Sequence, residues 1–153
     1  DRDNGMSLME SGAILVYLAE KYGKFLPKDR IARAEVNEWL MWQMGGFGPI
    51  LGQAHHFLHF NPGKSDYAEE RFRSEVARLY GVLDRRLEGR DYICDDYSIV
   101  DMACWPWVSR YEWQQVNLTD YPNVRSWYQH LLARDAVQKG YQVPKHMGEI
   151  PQG

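Results

Sequence analysis

The chain has 153 residues, enough for one ordinary domain or for one domain with part of another. Its composition is 44% hydrophobic with six Trp, ten Tyr and five Phe, so it can bury a real core. The net charge of −3, with both signs interspersed, excludes a general electrostatic attraction to nucleic acid or to anionic lipid.

Cys94 and Cys104 form no CxxC or metal-ligand pattern, which fits a reducing cytoplasm better than a secreted disulfide scaffold. No apolar run reaches the length of a membrane span, and the first residues carry no signal-peptide pattern. The chain opens in a polar stretch, Asp1 to Gly5, without an initiating Met, and is expected to be truncated at its N-terminus.

Residues 6–9 are compatible with the end of a strand. From Ser11 to Tyr22, Ile14, Leu15, Leu18 and Tyr22 share a helical face, and Gly23 supplies the stop. Ser11 at such a start is either the cap of its own helix or the hydroxyl of an anion site, because free amides and the helix dipole both favour negative charge there. Residues 24–28 read as a linker, with Asp29 the N-cap of the next helix.

A long helical pattern spans Arg30 to about Phe60, with Ala34, Trp39, Leu40, Met44 and Phe47 on one side. Gly45-Gly46-Phe47-Gly48-Pro49 is a costly interruption. It calls either for close packing against another backbone or for a bend that shapes a cleft. After the turn at 61–65 a second helix runs from Asp66 to Leu87, and the two form an antiparallel pair.

Ser98 and Asp101 approximate a capping box, with Tyr97 and Met102 as a hydrophobic staple. The segment that follows is apolar on nearly every side and reads as the buried centre, kinked at Pro106. The last long helix starts at Pro122 and turns Val124, Trp127, Tyr128, Leu131 and Leu132 inward. A short turn over 136–139 follows, and the tail from residue 144 wraps the surface or is disordered. The fold class is an all-α helical bundle with a short N-terminal leftover.

Few residues suggest chemistry. His55 and His59 are four apart on a helix but lack a neighbouring carboxylate, so no metal is expected. Arg86 either complements a helix C-terminus or clamps a carboxylate. The tryptophans are read as core rather than as a nucleic-acid stacking platform, and neither Cys has the cationic surroundings of a nucleophile.

Several of these stretches together resemble a glutathione transferase. They are Glu10-Ser11-Gly12-Ala13-Ile14-Leu15 with Tyr17-Leu18, the Ser98 to Asp101 box, and Asp120-Tyr121-Pro122-Asn123. Trp39 to Gly46, Gly48-Pro49, Gly52-Gln53, His55-His56-Phe57, and Tyr80 with Val82 to Leu87 resemble the bacterial nu-class branch, noted for glutathione-dependent disulfide-bond oxidoreductase activity.

The resemblance implies that residues 1–23 are the last strand and helix of a thioredoxin-like domain, joined by 24–28 to an all-helical domain at 29–143 and a tail at 144–153. It implies a cytoplasmic homodimer that takes glutathione and a small hydrophobic electrophile or disulfide, without nucleic acid, membrane or metal. Ser11 would hold the γ-glutamyl carboxylate of glutathione and Glu10 its ammonium. Gln53 and Arg86 would reach the site across the dimer, although Ala54 stands where close relatives carry Asn. The residue that activates the sulfur belongs to the part of the family's first domain that lies before this sequence, so the catalytic residue is unknown and this chain alone is expected to be inactive. The alternative is a non-catalytic helical dimerisation or binding module of the same fold.

Overall fold

The structure, a computed structural model, describes residues 1–145 and 148–153; His146 and Met147 of the tail lie outside the described residues. It is helical throughout, with no strand among the described residues, so residues 6–9 have no partner strand to pair with. The helices are α1 (Ser11–Tyr22), α2 (Arg30–Trp42), α3 (Gly48–Ala54), α4 (Asp66–Arg86), α5 (Ile99–Val108), α6 (Pro122–Leu132) and α7 (Asp135–Gly140).

The long pattern from Arg30 to Phe60 is one continuous helical rod with two wide turns. Asp29 caps it, its carboxylate accepting from the amides of Ile31 and Ala32 at 3.0 and 2.9 Å. At Gln43–Phe47 and again at His55–Phe60 the rod widens into π-helix, with Gly48 N–H donating to the Gln43 carbonyl and Asn61 N–H to that of His56. The glycines therefore mark a π-turn, a distortion that often sits at functional sites. The close approach falls on Gly48, where a Cβ would stand 3.2 Å from the Trp107 ring and 2.7 Å from Gln43 Nε2. Gly45 and Gly46 have nothing within 4 Å of a Cβ. The neighbour pressed onto the rod is thus a side chain rather than a backbone.

Two faces differ from their periodicity. Ala34 is exposed, and Val36 and Leu40 are the buried positions of α2. On α1 the inward residues are Gly12 and Ala19, with Leu15 and Val16 half-buried, while Ile14, Leu18 and Tyr22 point outward. α1 packs on α5, and at Gly12 it meets Met44 of the rod so closely that a larger residue would not fit, so its large apolar residues lie on the other side.

α5 is the buried centre, as its composition predicts. It packs on α1, α2, α3 and α6, and runs on only two residues past Pro106. Its start is fixed by the Asp101 carboxylate, itself buried, which accepts from Ser98 N at 2.9 Å, Ile93 N at 3.0 Å and Trp127 Nε1 at 2.9 Å. The Ser98 hydroxyl reciprocates by accepting from Val100 N at 3.3 Å. Burial pushes the Asp101 carboxyl above the usual carboxylate range, and these donors pull it back. Pro122 opens α6 as its position predicts, but the cap is borrowed. Asp84 of α4 accepts from the amides of Asn123 and Val124 at 2.9 and 3.1 Å.

Of the six tryptophans, Trp105 and Trp127 are core, while Trp39, Trp42, Trp107 and Trp113 are half-buried at the rod's flank. The tail wraps back over α6: Ile150 is buried and the Tyr128 hydroxyl donates to the Pro151 carbonyl at 2.6 Å. Replacing Asp101 by Ala strands three buried donors, each costing about 1–3 kcal/mol. Urea denaturation of Asp101→Ala should show a loss of at least about 3 kcal/mol, and a loss under about 1 kcal/mol would show that water replaces the carboxylate.

Candidate functional site

The N-terminus of α1 is held in place by a contact between small and flexible side chains. Gly12 is buried under Met44, whose Cγ would lie 3.0 Å from a Cβ at that position. Met44 belongs to the first π-turn, so the wide turn carries the side chain that supports the helix start. The Ser11 hydroxyl points at the same sulfur, 3.8 Å away, a weak interaction that leaves its lone pairs free.

Ser11 is the first residue of the helix and not its cap. Glu10 holds the cap position with φ 68° and ψ 114°, and no side chain caps the first turn. A non-glycine residue in that region is strained by about 1–3 kcal/mol. The twist aims the Glu10 carbonyl into the helix, where it accepts from Ile14 N at 2.9 Å, and leaves the Glu10 side chain outside and exposed. The amides of the first turn, an exposed hydroxyl and an exposed carboxylate therefore share one spot. It opens on a cleft of about 570 Å³ lined by Met6, Leu8, Ala13, Val16, Tyr17, Met41 and Met44. The preceding segment is tied to α1 by Asp1 and Asp3, both paired with Lys21, at 2.5 and 2.6 Å.

The other candidates lie elsewhere. Gln53 is exposed on α3 and has no hydrogen-bond partner among the described residues. Arg86 is engaged within the chain: Nε donates to the Ile93 carbonyl at 2.6 Å, Nη2 pairs with Glu35, and the guanidinium lies 5.1 Å over the Trp39 ring. Ser98 and Asp101 form the structural box already described. Cys94 and Cys104 are both buried; burial pushes the Cys94 thiol up to about 11 and that of Cys104 well above the usual thiol range, the opposite of an activated nucleophile.

Among the described residues no group of three or more His, Cys, Asp and Glu is arranged to hold a metal ion. The histidines of the second π-turn pair with aromatic rings instead. His59 stacks on Trp113 at 4.6 Å, and His55 lies between Trp107 and Trp113. Sequence periodicity missed this grouping because the π-turn shifts the angular spacing and because Trp113 arrives from a separate short 3-10 turn, Tyr111–Gln114.

Against known proteins, residues 47–135 match the family model described as the glutathione S-transferase C-terminal domain. The chain belongs to that family. It is 48% identical over 138 residues to the disulfide-bond oxidoreductase YfcG of Escherichia coli (strain K12), an alignment covering 90% of this chain and 64% of that protein. Among solved structures it is similar to a glutathione transferase from Burkholderia graminis with two glutathione molecules bound per subunit. There the identity is 41% and the TM-score 0.85, with 92% of this chain and 62% of that one covered. A Pseudomonas putida glutathione transferase with one glutathione disulfide bound per subunit gives 42% identity and a TM-score of 0.85, covering 91% and 64%. The chain thus spans less than two thirds of the length of these relatives. No helix among the described residues is long and apolar enough to cross a membrane.

His55 makes one property of the rod measurable. Burial, then His59 and Arg110, lowers its pKa from 6.5 to about 4. From about pH 6.5 down to about 4 the unfolded chain takes up a proton here that the folded chain does not, so stability present above about 6.5 is lost as the pH falls. Urea denaturation at pH 7 and pH 4.5 should show a larger loss for the wild type than for His55→Gln; equal losses would contradict this.

Proposed function

We propose that the start of α1 is the handle for the γ-glutamyl end of glutathione. Ser11, through hydroxyl and backbone amide, takes the carboxylate, and Glu10 pairs with the ammonium. The observation that carries this reading is the uncapped helix end. The first-turn amides of α1 have no capping side chain, and the residue in the cap position, Glu10, has a positive φ and an exposed side chain. An α-amino-acid head group carries one anion and one cation a few ångströms apart, and the pair of exposed groups matches that pattern. Glutathione bound in the Burkholderia and Pseudomonas relatives supports the choice of ligand.

As part of a whole protein, the chain fits a cytoplasmic homodimeric enzyme that either conjugates glutathione to a small hydrophobic electrophile or reduces a disulfide with it. The name of YfcG favours the second chemistry. In such a dimer the exposed Gln53 is free to reach a neighbouring site, whereas Arg86 would first have to leave Glu35 and the Ile93 carbonyl. Thiol activation requires a donor to sulfur that lowers its pKa. The groups of the proposed handle hold the γ-glutamyl end of glutathione and not its sulfur, so the 153 residues alone are proposed to bind without turnover.

Immobilised glutathione, linked through sulfur, leaves the γ-glutamyl end free and tests the handle directly. The chain should be retained and eluted by free glutathione. Ser11→Ala and Glu10→Gln should each weaken retention by about tenfold, the size of one lost charge-assisted hydrogen bond. Retention unchanged in both variants, with their helical circular dichroism intact, would move the site elsewhere.

A further inference from the structure

The helix start that the glutathione reading uses rests on an oxidisable side chain. Met44 wraps Gly12 so closely that a Cβ on that glycine would stand 3.0 Å from its Cγ and 3.2 Å from both its Sδ and its Cε. The Ser11 hydroxyl lies 3.8 Å from the same sulfur, a weak acceptor that holds it loosely. The packing fits a thioether and leaves little space for an added atom between Met44 and Gly12.

The same side chain is within reach of small solutes. Met44 is half-buried, and with Met6 and Met41 it lines the cleft of about 570 Å³ beside the handle. A hydroperoxide is far smaller than that cleft. The two cysteines do not compete for it, because both are buried and burial holds their thiols in the protonated, unreactive form. Methionine sulfur reacts without losing a proton, and its product is a polar, chiral sulfoxide in place of a flexible apolar group.

We propose that Met44 is a modification site through which hydroperoxides close the glutathione handle, an inference that rests on the reading of Glu10 and Ser11 given above. A lone pair of Sδ attacks one oxygen of the hydroperoxide, the O–O bond breaks and an S–O bond forms. Sulfur loses two electrons, and the other oxygen leaves as water, or as an alcohol from an organic peroxide. The sulfoxide oxygen is a far stronger acceptor than the thioether it replaces. The donors at hand are the Ser11 hydroxyl and, on the adjoining Gly12, an amide of a first turn that no side chain caps. The dipole of α1 favours a negative oxygen there, as it favours the carboxylate of glutathione. The modified side chain thus takes the donors that the ligand needs. The enlarged, polar group also cannot keep its packing on Gly12, so the helix start shifts.

Treatment of the chain with hydrogen peroxide, with sulfoxide at each Met located by peptide mass mapping, tests the site by two readouts. Without ligand, the proton–nitrogen signals of Ser11 and Gly12 should move in step with formation of Met44 sulfoxide. On immobilised glutathione, retention should fall by at least about tenfold, the size of one lost charge-assisted bond. Each variant is compared with its own untreated form: Met44→Leu should show neither change, and Met41→Leu should show both. The proposal is overturned by a Met44 that stays a thioether when Met41 is fully converted, by Ser11 and Gly12 signals that stay still once Met44 is a sulfoxide, or by an equal fall in retention for Met44→Leu. An untreated chain that does not bind glutathione refutes the handle instead, and the Ser11 and Gly12 signals then still decide whether oxidation of Met44 moves the helix start.

Discussion

The buried Asp101 carboxylate is the constraint from which the positions of the other parts follow. One oxygen holds Ile93 N and Trp127 Nε1 and the other holds Ser98 N, so the loop after α4, the start of α5 and the middle of α6 meet at a single residue. The α5 start so fixed then sets the linker: Ile99 N, an amide the helix itself cannot satisfy, donates to the Phe25 carbonyl at 3.1 Å. Phe25 closes the turn after α1, and α1 carries Glu10 and Ser11. A chain of hydrogen bonds through the core thus supports a surface feature. An ionised group without these donors would cost too much to bury, and its partners would be orphaned without it.

The rod from Arg30 to Phe60 makes the complementary contribution. A regular helix of that length would present a fixed face to α5. Two π-turns rotate successive stretches so that Met44 meets Gly12, Gly48 meets Trp107, and His55 meets Gln114. Glycine matters at Gly12 and Gly48, where neighbouring side chains leave no room for a Cβ.

Much of this was legible in the sequence. Asp29 as a cap, the Ser98–Asp101 box, Pro122 as a helix start and the apolar run of α5 each rest on local chemistry, and local chemistry is what a sequence displays. The glycine run showed that the rod is disturbed but not how, because a π-turn is defined by which carbonyl an amide reaches. The outward set of Ile14, Leu18 and Tyr22 misled in the other direction. Periodicity finds the apolar stripe of a helix, whereas α1 docks through Gly12 and Ala19, whose smallness was the signal. The borrowed cap from Asp84 and the grouping of His55 with Gln114 and Trp113 join residues far apart in the chain, and no spacing encodes them. At Glu10-Ser11, residue types suggested an anion site, and the structure adds that Ser11 is not consumed in capping its own helix.

Backbone amide titration with reduced glutathione tests the central claim most directly, because it reports the position of the ligand without altering the protein. If the helix start is the handle, the proton–nitrogen signals of Ser11, Gly12 and Ala13 move first and furthest, with Met44 following through its contact with Gly12. If the largest movements fall elsewhere while those three amides stay still, glutathione does not use the α1 N-terminus and the account of this site is wrong.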